Sequence, residues 1–201
     1  AWVPVDEVAG TAVDTFSYGV SRGDGLFYPT KVGLEWGSDR KPFQNAYEWR
    51  CWENMQSLIK QGLDPLQVLV DRAHEKGMDF FASLRLGGYG GMNPEHSVAN
   101  GGRGFVHPEM RDHIYAIVEE LATSYDVEAV ELDFAAAPSG SAHCLNLDEA
   151  ADQASVMTEF VRDAAAAIRG RSGDPGLVGA RVYPTLELNQ RAGLDVATWL
   201  S

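Results

Sequence analysis

The tripeptide Glu131-Leu132-Asp133 places two carboxylates two residues apart in a short apolar run, 128–134, that also holds Ala129, Val130 and Phe134. Side chains alternate along a strand, so Ala129, Glu131 and Asp133 fall on one face and Val130, Leu132 and Phe134 on the other. The apolar face seeks helices, which turns both acids the opposite way. The same parity puts Phe81, Ser83 and Arg85 of the run 78–85 on the acid side. It also puts Gly179, Arg181 and Tyr183 of 177–183 there, and Thr15, Ser17 and Gly19 of 12–20. The expected result is an upper row of Arg85, Asp133 and Arg181 over a lower row of Ser17, Ser83 and Glu131. Charges held away from water need partners, so two acids and two arginines in one mouth point to a site; the bland alternative is a structural Arg–Glu network.

The chemistry that suits this set is glycoside hydrolysis, in which one carboxyl stays protonated to serve the leaving oxygen and another is ionised as nucleophile or base. Asp133, nearer the strand end, is the first candidate. Glu131 lies about 6–7 Å lower along the strand and is expected to orient Asp133 or Arg85. Arg85 and Arg181 would hold hydroxyls or an acidic substituent, because a guanidinium fork matches planar anions. Arg22, Tyr28, Trp36 and His143 complete the expected substrate contacts, the two rings being placed to stack on sugar C–H faces from the loop after the first strand. Phe27, Tyr89 and Phe105 qualify by position. Trp49 and Trp52, three apart beside Met55 in a helical stretch, are expected to pack, and His74 to be structural.

Four strands, near 12–20, 78–85, 128–134 and 177–183, alternate with helical patterns, the signature of βαβ units feeding a parallel sheet. Asp64-Pro65 opens one helix by setting an acid cap before a first-turn proline, with Leu66, Leu69, Val70 and Ala73 at helical spacing up to Gly77. Pro108 opens a second, with Ile114, Ile117, Val118 and Leu121 on one face. Leu147-Asp148 starts a third, carrying Val156, Phe160, Val161 and Ala164. Helix-to-strand connections are short, whereas segments after strands are long, above all the glycine-rich 86–107. Loops after strands build the sites of (β/α) barrels, so the fold class expected is α/β of the (β/α)8 type, as one domain over 1–201. A closed barrel takes about 250 residues. Val5–Gly10 reads as the tail of a helix and Ala192-Gly193 as a helix end with nothing after it, so the chain is expected to be incomplete at both ends.

The composition narrows the function classes. Of 201 residues 45% are hydrophobic, enough for one substantial core. A formal charge of -13 repels nucleic acid and anionic membranes. Cys51 and Cys144 are too few for a disulfide scaffold and lack zinc-site spacing, and the five histidines form no H-x-H or H-E-x-x-H pair. No metal and no cofactor are expected. Neither a G-x-S-x-G elbow nor a P-loop is present, and no apolar run reaches the roughly 18–20 residues of a membrane span. The first residue is Ala1, compatible with a removed leader and hence with a periplasmic or extracellular protein.

Three segments together carry a family resemblance: Ser21-Arg22-Gly23-Asp24-Gly25-Leu26-Phe27-Tyr28-Pro29-Thr30-Lys31, Asp64-Pro65-Leu66 through Ala73-His74-Glu75-Lys76-Gly77, and Glu131-Leu132-Asp133-Phe134. Their order resembles the family 10-like glycosyl hydrolases, bacterial (β/α)-barrel proteins. The resemblance implies that Val13–Lys31 holds the second barrel strand and its loop, and that Asp64–Arg85 runs through the next helix into the third strand. It implies further that Val130–Phe134 is the fourth strand and Gly179–Pro184 the fifth, with Asp133 as a glycosidase acid. The glycine-rich loop after Arg85 departs from such a site in lacking an acidic or histidine pair. A carbohydrate substrate is implied, hydrolysed by carboxylate acid/base chemistry. A carbohydrate-binding barrel without turnover and a sugar lyase or isomerase are the competing readings.

Overall fold

The computed structural model describes residues 3–87, 94–96, 104–135, 144–170 and 176–201. In chain order they form α1 (Val3–Asp6), β1 (Thr15–Gly19), β2 (Ser21–Arg22), β3 (Gly25–Leu26), β4 (Leu34–Glu35), α2 (Ala46–Lys60) and α3 (Pro65–Glu75). Then come β5 (Asp79–Arg85), a 3-10 turn at Pro94–His96, α4 (Pro108–Ser124), β6 (Ala129–Asp133), α5 (Ala154–Arg169), β7 (Leu177–Arg181), α6 (Leu186–Arg191) and α7 (Val196–Trp199).

All four strands read from apolar runs form, and they make one parallel sheet in the order β1-β5-β6-β7. Each strand lies beside the next one in the chain, so the sheet is wound in a single direction. A doubly wound sheet would reverse its strand order midway. Helices α3, α4 and α5 pack against β5, β6 and β7 respectively. Phe80, Ala82, Leu84, Val130, Leu132 and Phe134 are buried in the core on this side. The parity of the strands is therefore as expected, with the acids on the face away from the helices. Among the described residues β1 and β7 each pair on one edge only.

Asp64 caps α3: its Oδ1 accepts the amides of Leu66 and Gln67 at 2.8 and 3.3 Å. Its other oxygen accepts the Tyr125 hydroxyl at 2.7 Å, which ties the start of α3 to the end of α4. Gly77 ends this unit at φ +72, a conformation that costs glycine nothing. Asp64→Ala is expected to cost about 2–3 kcal/mol, a lost cap plus an unpartnered phenol. Urea unfolding checks it; a lower midpoint at unchanged slope is the expected result, and no shift would mean that water replaces both roles.

Three elements differ from the sequence reading. Helix α5 begins at Ala154, seven residues after Leu147, because 148–153 run through successive turns held by Glu149 and Gln153 amides on Asn146 and Glu149 carbonyls. Leu147 is exposed, and steady burial on the helix face starts only at Met157. The chain does not stop at Gly193: α7 follows, and its Trp199 donates to Thr158 on α5 at 3.1 Å. A second sheet, β2-β3-β4, was invisible because two-residue strands carry no periodicity. It needs Gly25, where a Cβ would stand 2.7 Å from the Trp36 Cα.

Candidate functional site

The register of the parallel sheet sets the site. Arg85, Asp133 and Arg181 are paired across β5, β6 and β7, forming the upper row expected. One row down stand Gly19, Ser83, Glu131 and Gly179. Ser17 pairs with Phe81 and so belongs a row lower than expected. Parity fixes which face a side chain takes; the stagger between strands fixes its height, and that stagger is a tertiary property.

Asp133 is the buried acid of the site, 2% exposed. Its Oδ1 accepts the Ala135 amide at 3.0 Å, turning the chain out of β6, and its Oδ2 lies 3.4 Å from Nη1 of Arg181. Arg181 is 59% exposed in its side chain, so this ion pair is weak. Burial raises the Asp133 pKa most. The Ala135 amide and the Arg181 charge oppose it, the Glu131 charge adds to it, and Arg85 opposes it; the balance stays above the ordinary carboxylate value.

Glu131 sits below Asp133 and accepts the Ser83 hydroxyl at 2.6 Å. Gly179 makes room for it, since a Cβ there would lie 3.3 Å from the Glu131 Cβ. Arg85 leans toward β1, its guanidinium over Gly19, where a Cβ would meet Nη2 at 3.7 Å. The Ser21 hydroxyl accepts the Arg85 amide at 3.2 Å and hooks β2 onto the top of β5. On the far side, Asn189 is buried and holds the turn after β7 through the Tyr183 amide and the Tyr183 and Thr185 carbonyls, at 2.9, 3.0 and 2.8 Å.

Several expected substrate contacts are placed elsewhere. Tyr28 and Trp36 are 0% and 1% exposed, so neither ring has a face for a sugar. Tyr28 stacks edge-on against Tyr125 at 5.4 Å and donates to Glu120, and Trp36 lies beside Phe27. Phe105 is likewise buried, against Phe160. Tyr28 and Trp36 are buried because the loop after β1 folds back with the small sheet, Tyr28 onto α4, whereas Phe105 precedes α4 and packs on α5. Trp49, expected to pack, is more than half exposed, and Trp52 lies beneath the Lys41 ammonium at 4.0 Å. Arg22 is exposed and covers the Tyr47 ring at 5.6 Å. His74 bonds to Glu128 at 3.1 Å, a structural role. His143 and Tyr89 lie outside the described residues. Glu120 and Ser21 had no sequence signal, since each acts through a distant backbone or hydroxyl group, and Asn189 holds only its own turn, through Tyr183 and Thr185. Among the described residues no group of three metal-ligating side chains occurs, and no helix is long and apolar enough to cross a membrane.

No family model matches this chain. No curated protein does either. Among solved structures, α-L-fucosidase isoenzyme 2 from Paenibacillus thiaminolyticus superposes with a TM-score of 0.53 at 12% identity, over 90% of this chain and 28% of that one. A Bacillus halodurans chain assigned as an α-N-acetylgalactosaminidase matches at a TM-score of 0.38 and 16% identity, over 66% of this chain and 33% of that one. At such identity the first likeness shows a shared α/β fold. The chain spans 28% of the length of that fucosidase chain.

Proposed function

We propose that this chain carries part of the active site of a (β/α)-barrel glycoside hydrolase acting on an oligosaccharide or polysaccharide, with Asp133 as its acid/base. One observation carries the reading: a buried carboxyl with a raised pKa stands at the carboxyl end of a parallel strand, on the face away from the helices, between two arginines in register. Catalytic groups of (β/α) barrels stand at that end. The single winding and the helices on one face support the same architecture, which would place the strands as the second to fifth of a barrel like that of the family 10-like glycosyl hydrolases.

In this reading the Asp133 proton passes to the glycosidic oxygen as its bond to the anomeric carbon breaks. Water supplies the hydroxyl that the carbon gains, and its proton goes to a carboxylate. Glu131 acts through its neighbours: bound to Ser83 a row below, its charge adds to burial, the larger cause, in raising the Asp133 pKa. Arg85 and Arg181 hold the sugar on either side. Among the strand residues no third carboxylate reaches these two rows.

The test is reducing-sugar release from neutral and acidic polysaccharides by the wild type beside Asp133→Asn. Release by the wild type alone supports the assignment. Equal release by both removes Asp133 from the chemistry, and an unsaturated uronate chromophore in the product would replace hydrolysis by lyase chemistry.

A further inference from the structure

Among the described residues Arg181 is the only side chain that bonds to the Asp133 carboxyl, through Nη1 at 3.4 Å, and Asp133 is the only group to which the Arg181 guanidinium bonds. The register puts the two side by side at the carboxyl ends of β6 and β7, on the face away from the helices. Arg85, the other guanidinium of that row, leans the opposite way, over Gly19. One long contact leaves most of Arg181 unused. With Nη1 turned to Asp133, the edge formed by Nε and Nη2 still offers a parallel pair of N–H donors. The side chain is 59% exposed, so that edge is within reach of a ligand at the open end of the sheet.

Charge decides what that ligand is. In the two rows around Asp133 the charged side chains are Arg85, Arg181, Glu131 and Asp133 itself. When Asp133 holds the proton that the glycosidase reading gives it, two guanidinium groups face one carboxylate, and Glu131 is kept a row lower by the Ser83 hydroxyl. The excess is one positive charge, within a chain of formal charge -13. A sugar hydroxyl would leave that charge unmatched, whereas a carboxylate matches both the charge and the planar fork. We propose that Arg181 sets the specificity of this site, binding the carboxylate of a uronic acid residue through Nε and Nη2 while the glycosidic oxygen of the same residue meets Asp133. The proposal rests on the glycosidase reading and names its substrate class, an acidic oligosaccharide. In a uronic acid the carboxylate-bearing carbon and the anomeric carbon flank the ring oxygen. Groups that are neighbours on the sugar therefore meet side chains that are neighbours on the sheet.

Binding can be read separately from turnover. Asp133→Asn cannot protonate a leaving group and leaves Arg181 in place, so ligands can be titrated into it calorimetrically without being consumed. Trimers of β-1,4-glucuronate, β-1,4-mannuronate and α-1,4-galacturonate are each compared with the neutral trimer of the same configuration and linkage. In at least one pair the acid should bind about tenfold more tightly. Arg181→Ala in the same background should abolish that advantage, and Arg181→Lys, a point charge without the fork, should keep only part of it. If Arg181→Ala does not melt cooperatively, Arg181→Lys carries the test by itself. Equal or absent binding in all three pairs, or a preference that survives both substitutions unchanged, overturns the proposal. An Arg181-dependent preference in a protein whose wild type hydrolyses none of the trimers keeps the subsite and sinks the glycosidase reading. Asp133-dependent hydrolysis of neutral trimers, with no preference for acid, does the reverse.

Discussion

Asp133→Asn is expected to make the protein both inactive and more stable at neutral pH. Turnover should fall about a thousandfold, the scale of a lost general acid. Asparagine keeps the oxygen that accepts the Ala135 amide and gives up only a 3.4 Å contact with an arginine that solvent already screens. What it removes is a carboxyl whose ionised form is disfavoured by burial and by the Glu131 charge.

The sign follows from linkage. The folded pKa of Asp133 lies above its unfolded value of about 3.9. Below that value the carboxyl is protonated in both states and costs nothing. As pH rises the unfolded chain ionises first, so stability is lost until pH passes the folded pKa and is constant above it. The advantage of the variant should therefore be absent near pH 3 and grow as pH rises through the folded pKa, above which it is constant. Thermal melts of both proteins across that range check it. A variant less stable than the wild type at pH 7 would mean that Asp133 is held as a structural ion pair, and the acid assignment would fall with it. For the wild type, the rate should fall on the alkaline side as Asp133 loses its proton, a limb the variant lacks.

How much of this site the sequence reveals depends on the range over which each fact is decided. Glu131, Asp133, Arg85 and Arg181 share a face because alternation within one strand settles it, and five to seven residues of apolar pattern are enough to read. Asp64 is similarly legible as a cap, its amide partners being two and three residues away. The height of Ser17 is not legible, because β1 and β5 are separated by the small sheet and two helices, and the register depends on how all of these pack. Tyr28 and Trp36 were misplaced for a related reason. A ring in a long loop is exposed or buried according to what the loop folds onto, and this loop is drawn onto α4 by an acid 92 residues from Tyr28. That acid, Glu120, follows a helix run whose apolar members mask it. It sits between the core residues Val118 and Leu121, and nothing in its local spacing marks it as different from the solvent-facing Glu119.

Glu120→Ala is accordingly the substitution with the largest expected cost to the fold. Its carboxylate is almost fully buried and takes three donors from one loop: the Tyr28 hydroxyl at 3.1 Å, the Thr30 hydroxyl at 2.6 Å and the Lys31 amide at 2.7 Å. Thr30 in turn accepts the amides of Val32 and Gly33 at 3.2 and 2.9 Å, so the carboxylate organises the approach to β4 as well. Alanine would strand a buried phenol and a backbone amide, each worth about 1–3 kcal/mol when left unpartnered, and would open a cavity beside Tyr28. A loss of about 3–5 kcal/mol is expected, a fall in melting temperature on the order of 10 °C for a chain of this size. Glutamine should recover part of it, because its oxygen can take the Lys31 amide while its NH2 donates to the Tyr28 oxygen; the Thr30 oxygen, already accepting two amides, cannot take the other hydrogen. Tyr28→Phe should cost less than either, since it leaves the carboxylate two of its donors. Thermal melts of the three variants give the order directly. If Glu120→Ala melted no lower than Tyr28→Phe, water would have to reach this carboxylate's partners, and the loop after β1 would be held to α4 by its rings alone.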